Sequence, residues 1–451
     1  MGGRVAELGD LCRKALSGAR DDEQVEAYAL ESVRTEVRAR GGEVDALTSA
    51  SSRGLGLRLI VGGRMGYAWA ADPSPEEAAG LLEAARGAAT HATPDEANVL
   101  PEAAAAEDVP GLFREALAGV EPDRKVALAL DLERAAVSAN ADVRRVEEVM
   151  YGDAVSRVAL ASTAGLGSEY RRTDCWCVAS AIAERDGDLQ TGFSFRVARE
   201  PDELDQEAVG REAAERGARL LGAVKPATER LPVVLDPWAA AAFLGVLASG
   251  LSAEEVQKGR SLLAGLVGER VASEAVTLVD DGRLPEGPAS SPFDDEGVPT
   301  SRTSLIDRGV LRGFLHNTVT AHRDGLGTGS TGNASRPSYR GVPGVSTTNL
   351  LVEGGPEPPE ALMASAGRAV YVQEVKGVHS GANPVSGEFS VGAAGLRVEG
   401  GTLAEPLREM TIASTLPEVL QDVVAVGSDV RFLFGVATPT ILVAEMTVAG
   451  R

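Results

Sequence analysis

The sequence contains few of the residues from which catalytic and metal sites are usually built. Its 451 residues include four histidines and three cysteines, and aromatic residues make up 4%. So few histidines leave few candidates for a general base or a metal ligand. Three cysteines cannot form a disulfide framework in a chain of this length, which excludes the disulfide-stapled secreted class and favours the cytoplasm.

Positive charge and long apolar runs are also scarce. The chain has 44 basic and 66 acidic residues, a formal net charge of -22, and no block of lysine and arginine. Nucleic acids and anionic membranes require a basic surface, so we expect neither as a partner. The longest apolar run, residues 238–248, is shorter than the ~18 residues of a membrane span. Glu7 and Asp10 stand where a signal peptide would be basic and then apolar, which again predicts a cytoplasmic protein.

Glycine, by contrast, is abundant, with 52 residues and no low-complexity run. This composition indicates many turns and a strand-rich fold. The first half of the chain mixes helical and strand periodicities. These predict a helix from about Val5 to Leu16, a hairpin over 55–69 turning at Gly62-Gly63, a helix from a capping box at Ser74 to near His91, a helix over 123–139, three antiparallel strands over about 143–161, 169–184 and 189–197, and a helix over about 202–222.

The pattern changes after a short polar, proline-containing segment at residues 224–229. Beyond this segment the chain consists mostly of short strand-like runs and glycine turns. The predicted elements there are a strand over 231–235, a helix over 238–249, a hairpin over 305–311, a helix over 358–368 and a final strand over 441–448. We therefore predict an α+β fold, with an N-terminal mixed α/β domain over residues 1–223 and a mainly β, barrel- or sandwich-like C-terminal domain over residues 224–451.

The four histidines give weak candidates for chemistry. His91 falls at a predicted helix end, where a contact with the helix dipole is the simplest interpretation. His316 and His322 are predicted on one strand, on the same face but about 20 Å apart, too far to share a metal. His379 lies among glycines that leave the backbone open to a ligand, although a local hydrogen bond to its own loop is the simpler interpretation.

Other motifs resemble functional sites only in part. Cys175 and Cys177 face the same side of a predicted strand, but no further ligand completes a zinc site, so we interpret them as small buried hydrophobes. The glycine-rich loop at residues 325–333 lacks the Gly-Lys-Ser/Thr ending of a P-loop. The acidic residues 294–296 could bind a divalent cation, but neighbouring acids in a loop are usually solvated. Generic motifs alone do not identify an enzyme.

Four stretches, in the same order along the chain, resemble one protein family. They are residues 54–68, with Gly54-Leu55-Gly56-Leu57-Arg58, residues 293–300, with Phe293-Asp294-Asp295-Glu296-Gly297, residues 330–334, with Ser330-Thr331-Gly332-Asn333-Ala334, and residues 377–393, with Gly377-Val378-His379-Ser380-Gly381-Ala382-Asn383-Pro384. Together they are similar to the TldD/PmbA family, the modulator-of-gyrase proteins, and in particular to its PmbA (TldE) branch. The resemblance implies an N-terminal α/β domain, a β-rich C-terminal domain and proteolysis of peptides.

The same resemblance implies that this chain lacks the family's zinc site. TldD-type subunits carry a His-Glu-x-x-x-His motif on a helix and a later cysteine ligand, with the glutamate activating zinc-bound water. The corresponding positions here are Leu244, Gly245 and Ser249, and no cysteine follows Cys177. We therefore expect no catalytic residue, metal or cofactor on this chain, and zinc on a TldD-type partner.

The leading functional hypothesis is a non-catalytic subunit that pairs with a TldD-type zinc protease and acts on unfolded or modified peptides. The candidate residues facing a peptide groove or the partner are His379, Ser380, Asn383, Ser386 and Asn333. Two alternatives stay open. One is a homodimeric peptide-binding or scaffold protein without a catalytic partner. The other is a hydrolase with a non-classical site around His379, His316 or His322.

Overall fold

A six-stranded antiparallel sheet forms the N-terminal half of the chain. The computed structural model describes residues 7–327 and 329–450. The elements of this half are α1 (Leu8–Leu16), β1 (Gln24–Arg40), β2 (Glu43–Val61), β3 (Arg64–Ala71), α2 (Pro75–His91), α3 (Glu115–Ala118), α4 (Pro122–Ser138), β4 (Val143–Ser162), β5 (Gly167–Arg185), β6 (Asp188–Ala198), a 3₁₀ turn (Pro201–Glu203) and α5 (Gln206–Ala218). The strand order is β3-β2-β1-β4-β5-β6, so sequential pairing dominates.

Helices cover one face of this sheet at its two ends. At one end α1 and α2 pack on the strands through a cluster that includes Val25, Ala27 and Leu57. At the other end α4 and α5 pack through a cluster that includes Val37 and Tyr151. Because side chains alternate along a strand, Val25, Ala27 and Val37 share one face of β1. The two helix pairs therefore lie on the same side of the sheet.

The C-terminal half is mainly β-structure. Its elements are β7 (Glu229–Leu235), α6 (Pro237–Gly250), α7 (Ala253–Gln257), β8 (Leu278–Asp281), β9 (Arg302–Asp307), β10 (Val310–Leu311), α8 (Thr318–Arg323), β11 (Ala334–Ser335), β12 (Gly344–Val345), β13 (Leu350–Val352), α9 (Pro359–Ala366), β14 (Arg368–Lys376), α10 (Val378–Gly381), β15 (Glu388–Glu399), β16 (Thr402–Thr415), α11 (Leu416–Gln421), β17 (Val423–Val426), β18 (Arg431–Leu433), β19 (Val436–Thr438) and β20 (Ile441–Ala449).

Five of these strands close into a barrel. The order β16-β15-β14-β7-β20 is completed by pairing between β16 and β20, and β17 adds to β20 at the rim. A second sheet has the order β10-β9-β8-β13-β19-β18. Residues of α6, the barrel and this second sheet share one large apolar core. The α+β class and the mainly β, barrel-like C-terminal half are thus confirmed.

Several local predictions are confirmed. The hairpin over 55–69 is the β2–β3 pair, and both turn glycines, Gly62 and Gly63, have the positive φ that a type I′ turn requires. Ser74 caps α2 with Glu77 in a reciprocal capping box. The three predicted antiparallel strands are β4, β5 and β6, paired in sequence. The domain boundary at residues 223/224 stays a prediction.

One placement from the sequence is wrong, and two others lie outside the described residues. His316 and His322 do not share a strand, because His322 lies in α8 and His316 directly precedes the Asn317 cap of that helix. Val5 and Thr328, which the sequence placed in the first helix and in the glycine-rich loop, are not among the described residues. In the described part of the chain, no helix is long and apolar enough to cross a membrane.

Candidate functional site

The helix α6 carries the positions of the family's zinc motif. The carboxylate of Asp236 caps its first turn by accepting a hydrogen bond from the N–H of Trp238 at 2.9 Å, and Pro237 occupies the first helical position. One face of α6 is buried in the C-terminal core and includes Phe243 and Leu244, which is 6% exposed. Only Gly245 and Ser249 of this helix are exposed. The helix therefore presents Leu244 to the core and Gly245 and Ser249 to solvent.

The residues at these positions do not fit a zinc ion. Leu244 offers an aliphatic side chain that packs in the C-terminal core. Gly245 has no side chain, and a Cβ built there would meet no atom within 4 Å. The Ser249 hydroxyl donates a hydrogen bond to the carbonyl oxygen of Val246 at 3.1 Å, which is a contact within its own helix. Zinc requires thiolate, imidazole or carboxylate donors, and this helix supplies none of them at the three positions.

The 377–390 loop lies against the same helix. Phe389, at the start of β15, packs on Phe243 of α6 with ring centroids 4.6 Å apart. Gly387 has φ +77°, and a Cβ there would come within 3.0 Å of Pro417, so the loop needs glycine at this turn. The loop that most resembles the family and the helix that lacks the zinc motif are therefore neighbours in the fold.

Four of the five predicted site residues lie together on this loop. His379, Ser380, Asn383 and Ser386 are all exposed. The side-chain oxygen of Asn383 accepts hydrogen bonds from the N–H groups of Val385 and Ser386 at 2.9 and 3.2 Å, which shapes the turn. The Ser380 hydroxyl donates to the Gly377 carbonyl at 3.2 Å. Their hydrogen bonds are local, so these residues shape the loop rather than form a nucleophile–base pair.

An open groove of about 530 Å³ runs along this loop. Residues 380–384 form one wall, and residues 388–390 at the start of β15 form the other. Ala382 and Phe389 form an isolated antiparallel bridge between the two walls. Four of the eight lining residues, Ser380, Gly381, Ala382 and Ser390, have small side chains, so a peptide backbone can approach closely. Binding of an extended chain is the chemistry that this geometry supports.

Asn333 lies elsewhere, inside the protein. It is 2% exposed. Its amide donates to the Asp280 carboxylate at 2.7 Å and to the Ser346 carbonyl at 3.1 Å, while its oxygen accepts from the Thr331 hydroxyl at 2.7 Å. Asn333 thus holds three segments of the C-terminal half together, and the structure does not group it with the four loop residues.

A buried ion network, which the sequence did not reveal, joins the two halves of the chain. Arg58 on β2 bonds the carboxylates of Glu26 at 2.7 Å and Glu296 at 2.8 Å. Arg336 forms a second ion pair with Glu26. Burial alone would raise the pKa of Glu26, but Arg336 and Arg58 more than offset it and lower that pKa. Glu296 belongs to a family-like stretch, and this contact gives that stretch a structural role.

Burial also changes the pKa values of two acids next to Glu296, Asp294 and Asp295. Burial and the nearby Glu296 carboxylate raise the pKa of Asp294 well above its usual range. Burial also raises the pKa of Asp295. The carboxylate of Asp294 accepts hydrogen bonds from the N–H groups of Glu296, Val298 and Ala334, so it organises the loop around itself. The acidic residues 294–296 are therefore interior residues of an interface rather than a solvated cluster.

Three further candidates from the sequence, Cys175, Cys177 and His316, are also interior. Cys175 and Cys177 are fully buried, and burial raises the pKa of the Cys177 thiol to about 12. His316 is 4% exposed, and burial lowers its pKa. Across residues 7–327 and 329–450, no three histidine, cysteine or acidic side chains form a group that could hold a metal ion.

Comparison with known proteins shows family resemblance along nearly the whole chain. Models of the three PmbA/TldA metallopeptidase domains match it: domain 1 at residues 25–92, the central domain at 115–221 and the C-terminal domain at 228–450. A metalloprotease PmbA of Escherichia coli O157:H7 is 28% identical over 417 residues, covering 92% of this chain and 90% of the relative.

Two solved structures are similar over the full length. A protein described as a modulator of DNA gyrase from Thermotoga maritima gives a TM-score of 0.90 at 29% identity, covering 98% of this chain and 99% of the other. The TldE structure from Thermococcus kodakarensis gives a TM-score of 0.89 at 25% identity, with the same coverage. These matches agree with the four sequence stretches and with the observed architecture. This chain belongs to the PmbA/TldD metallopeptidase family.

Proposed function

We propose that this chain is the non-catalytic, TldE-like subunit of a cytoplasmic peptidase complex whose zinc is held by a TldD-type partner. The observation that carries the proposal is the composition of α6, where Leu244, Gly245 and Ser249 stand at the zinc-motif positions. None of these side chains binds zinc or activates water. Membership of a metallopeptidase family together with these substitutions supports a subunit that assists the chemistry of a partner.

Peptide binding is the contribution we assign to this subunit. The exposed loop with His379, Ser380, Asn383 and Ser386 borders the open groove beside α6. Half of its lining residues have small side chains, which suits an unfolded peptide, because backbone contacts are independent of side-chain identity. In this proposal the chain supplies one wall of a shared chamber and the partner supplies the metal.

Co-expression with a paralogue that carries His-Glu-x-x-x-His tests the proposal. We expect the two chains to co-purify and an unfolded reporter peptide to be cleaved only by the pair. A matched control is the pair in which the paralogue's glutamate is replaced by glutamine, which should assemble without cleaving. Failure to form a complex, or cleavage by the paralogue that is indifferent to this chain, would contradict the proposal.

The alternative of a stand-alone hydrolase is tested on the same preparations. Metal analysis of this chain alone should give no stoichiometric zinc, and the chain alone should not cleave the reporter peptide. Cleavage by this chain alone that is sensitive to a chelator would contradict a non-catalytic role and favour a non-classical site. We propose no such site, because the three candidate histidines lie in different surroundings: His316 is buried, His322 is in α8 and His379 is exposed on the loop.

A further inference from the structure

A cavity of about 180 Å³, called here the junction cavity, lies where the two halves of the chain meet. Arg58 of β2, Met65 of β3 and Asn98, in the segment after α2, line it from the N-terminal half. From the C-terminal half it is lined by residues of α7, of α8 and of the segment before β12. Drug-sized ligands occupy about 300–1,000 Å³, whereas one water needs only about 10–15 Å³. The junction cavity therefore suits a small molecule of metabolite size.

A buried wall of the junction cavity carries an unsatisfied donor. Arg58 is 2% exposed, and its two terminal nitrogens donate to Glu296 and Glu26 at 2.8 and 2.7 Å. Within the described part of the chain, its Nε–H has no hydrogen-bond partner. The amide of Asn317, which is also buried, donates to the Pro343 carbonyl at the long distance of 3.4 Å. A buried donor without a partner is unfavourable, so an acceptor that enters the cavity is stabilised there.

The junction cavity also offers acceptors. The carboxylate of Glu254, on α7, accepts a hydrogen bond from the N–H of Val345 at 3.4 Å and pairs with Lys258. An ionised carboxylate can accept about four hydrogen bonds, so Glu254 has capacity left. Asn98 adds an amide oxygen, and the side chain is held by a hydrogen bond from its nitrogen to the Gly63 carbonyl at 2.9 Å. A ligand that carries both an acceptor group and a donor group matches these walls.

The charged residues around the junction cavity are already balanced. Arg58 belongs to the buried network in which two arginines face two glutamates. Arg323 forms an ion pair with Asp95, and Glu254 forms one with Lys258. A ligand with a net charge would leave that charge uncompensated in a partly buried site. A ligand with one positive and one negative group adds both signs equally and avoids this cost.

The remaining wall of the junction cavity is apolar. It is formed by the side chains of Met65, Val319, Val342 and Pro343. Val319 is half-buried, whereas Val342 is 39% exposed and lies at the mouth of the cavity. An aliphatic group of moderate size packs against such a wall and is removed from water.

We propose that the junction cavity binds a free α-amino acid with a branched aliphatic side chain, such as valine. The carboxylate of the ligand accepts hydrogen bonds from the Nε–H of Arg58 and from the Asn317 amide. Its ammonium group donates to the Glu254 carboxylate and to the Asn98 oxygen, and its side chain packs on the apolar wall. The junction cavity and the open groove share no lining residue, so this proposal does not rest on the proposed function.

Isothermal titration calorimetry of the whole chain with L-valine tests the proposal. Two further probes each lack one charge of the ligand: N-acetyl-L-valine keeps only the carboxylate, and L-valinamide keeps only the ammonium group. We expect L-valine to bind and each derivative to bind at least about tenfold more weakly, because each loses a charge-assisted hydrogen bond. No binding of L-valine at millimolar concentration, or binding of either derivative as tight as that of L-valine, would overturn the proposal.

Three variants place the ligand in the junction cavity. Glu254→Gln removes the charge that faces the ammonium group but keeps an oxygen for the N–H of Val345, so it should bind L-valine at least about tenfold more weakly. Glu255→Gln is the matched control, because Glu255 is the next residue of α7, bonds Arg260 at 2.7 Å and is not part of the cavity wall. It should bind L-valine like the wild type.

The third variant, Val342→Trp, narrows the mouth of the cavity at an exposed position and should also weaken binding at least about tenfold. Thermal melts without ligand check that each variant folds. Wild-type affinity for L-valine in Glu254→Gln or in Val342→Trp, or an equal loss of affinity in Glu255→Gln, would contradict the proposal.

Discussion

Phe243 on α6 and Phe389 on β15 pack with ring centroids 4.6 Å apart, and both side chains are almost completely buried. This contact joins the helix that lacks the zinc motif to the loop that borders the open groove. We expect Phe389→Ala to cost about 3–5 kcal/mol of the free energy of unfolding, because it leaves a cavity in the core. Urea denaturation measures this loss.

The same substitution should also weaken peptide cleavage by the complex with the paralogue, since Phe389 anchors one wall of the groove. Phe389→Leu is the matched control, as it keeps most of the buried volume and should cost less in both measurements. If Phe389→Ala lost stability but cleavage by the assembled pair stayed at the wild-type level, the link between this contact and the groove would be wrong.

A second prediction concerns the buried ion network between the two halves of the chain. Arg58→Met leaves the carboxylates of Glu26 and Glu296 without this partner inside the protein. We expect a loss of about 3–5 kcal/mol in the free energy of unfolding, since removing one member of a buried pair leaves an uncompensated charge. Arg134→Met is the control, because its ion pair with Asp131 is exposed and should contribute less than about 1 kcal/mol. Equal effects would contradict the prediction.

The dependence of stability on pH follows from Glu23. The hydrogen bonds and charge of Arg86 lower the pKa of Glu23 from 4.5 to about 2. A carboxyl group whose pKa is lower in the folded protein stabilises the fold fully above its unfolded pKa and loses that contribution as the pH falls. Between pH 5 and 2 the wild type should therefore lose more stability than Glu23→Gln. Denaturation at a series of pH values measures the difference.

The control for this prediction is Glu83→Gln. Glu83 also pairs with Arg86, but its side chain is 74% exposed. Its replacement should leave the pH dependence of unfolding close to that of the wild type, because exposed pairs contribute little. Identical pH profiles for the wild type and Glu23→Gln would show that the Arg86 contact does not shift the titration of Glu23.

How far the sequence predicts the fold is shown by two adjoining strands. The β2–β3 hairpin was predictable because apolar alternation and a Gly-Gly turn coincide. The strand β1 was missed, although Val25 and Val37 are both buried. The helices that the structure describes cover the sheet at its two ends, and the middle of β1 exposes Val33 and Arg34, which interrupts the apolar pattern. A strand that is buried over only part of its length has a weak apolar alternation, so the sequence does not predict it.

The error at His322 and the missed ion network have different causes. The residues before His322 include the β-branched Thr318 and Thr320, which favour a strand, yet Asn317 and Thr320 form a reciprocal capping box that starts a short helix. The Arg58–Glu296 pair could not be predicted, because its members are 238 positions apart and no local pattern connects them. The groove loop was found because its residues are contiguous.

Two glycines give opposite expectations for the same substitution. Gly245 lies inside α6 on the exposed face, and a Cβ there meets nothing within 4 Å. Gly245→Ala should therefore raise the free energy of unfolding by about 0.5–1 kcal/mol, as alanine favours the helix. Gly66 is the contrast, because a Cβ there would lie 1.9 Å from the carbonyl oxygen of Ala85 on α2. Gly66→Ala should destabilise the protein in the same thermal melts, and a stabilising effect would contradict the packing of β3 on α2.

The last prediction asks whether the zinc motif can be restored on α6. The triple variant Leu244→His, Gly245→Glu and Ser249→His recreates His-Glu-x-x-x-His in sequence. We expect it to bind no stoichiometric zinc and to cleave no peptide alone, because position 244 faces the C-terminal core and no cysteine follows Cys177.

The double variant Gly245→Glu and Ser249→His is its control, since it changes only exposed positions. The triple variant should unfold at lower urea than the double variant, because a buried imidazole without a hydrogen-bond partner costs about 1–3 kcal/mol. Metal analysis and peptide cleavage measure whether a zinc site forms, and urea denaturation measures the free energy of unfolding. Stoichiometric zinc in the triple variant would show that side chains at these positions converge on a metal, and that the missing donors alone separate this subunit from a catalytic one.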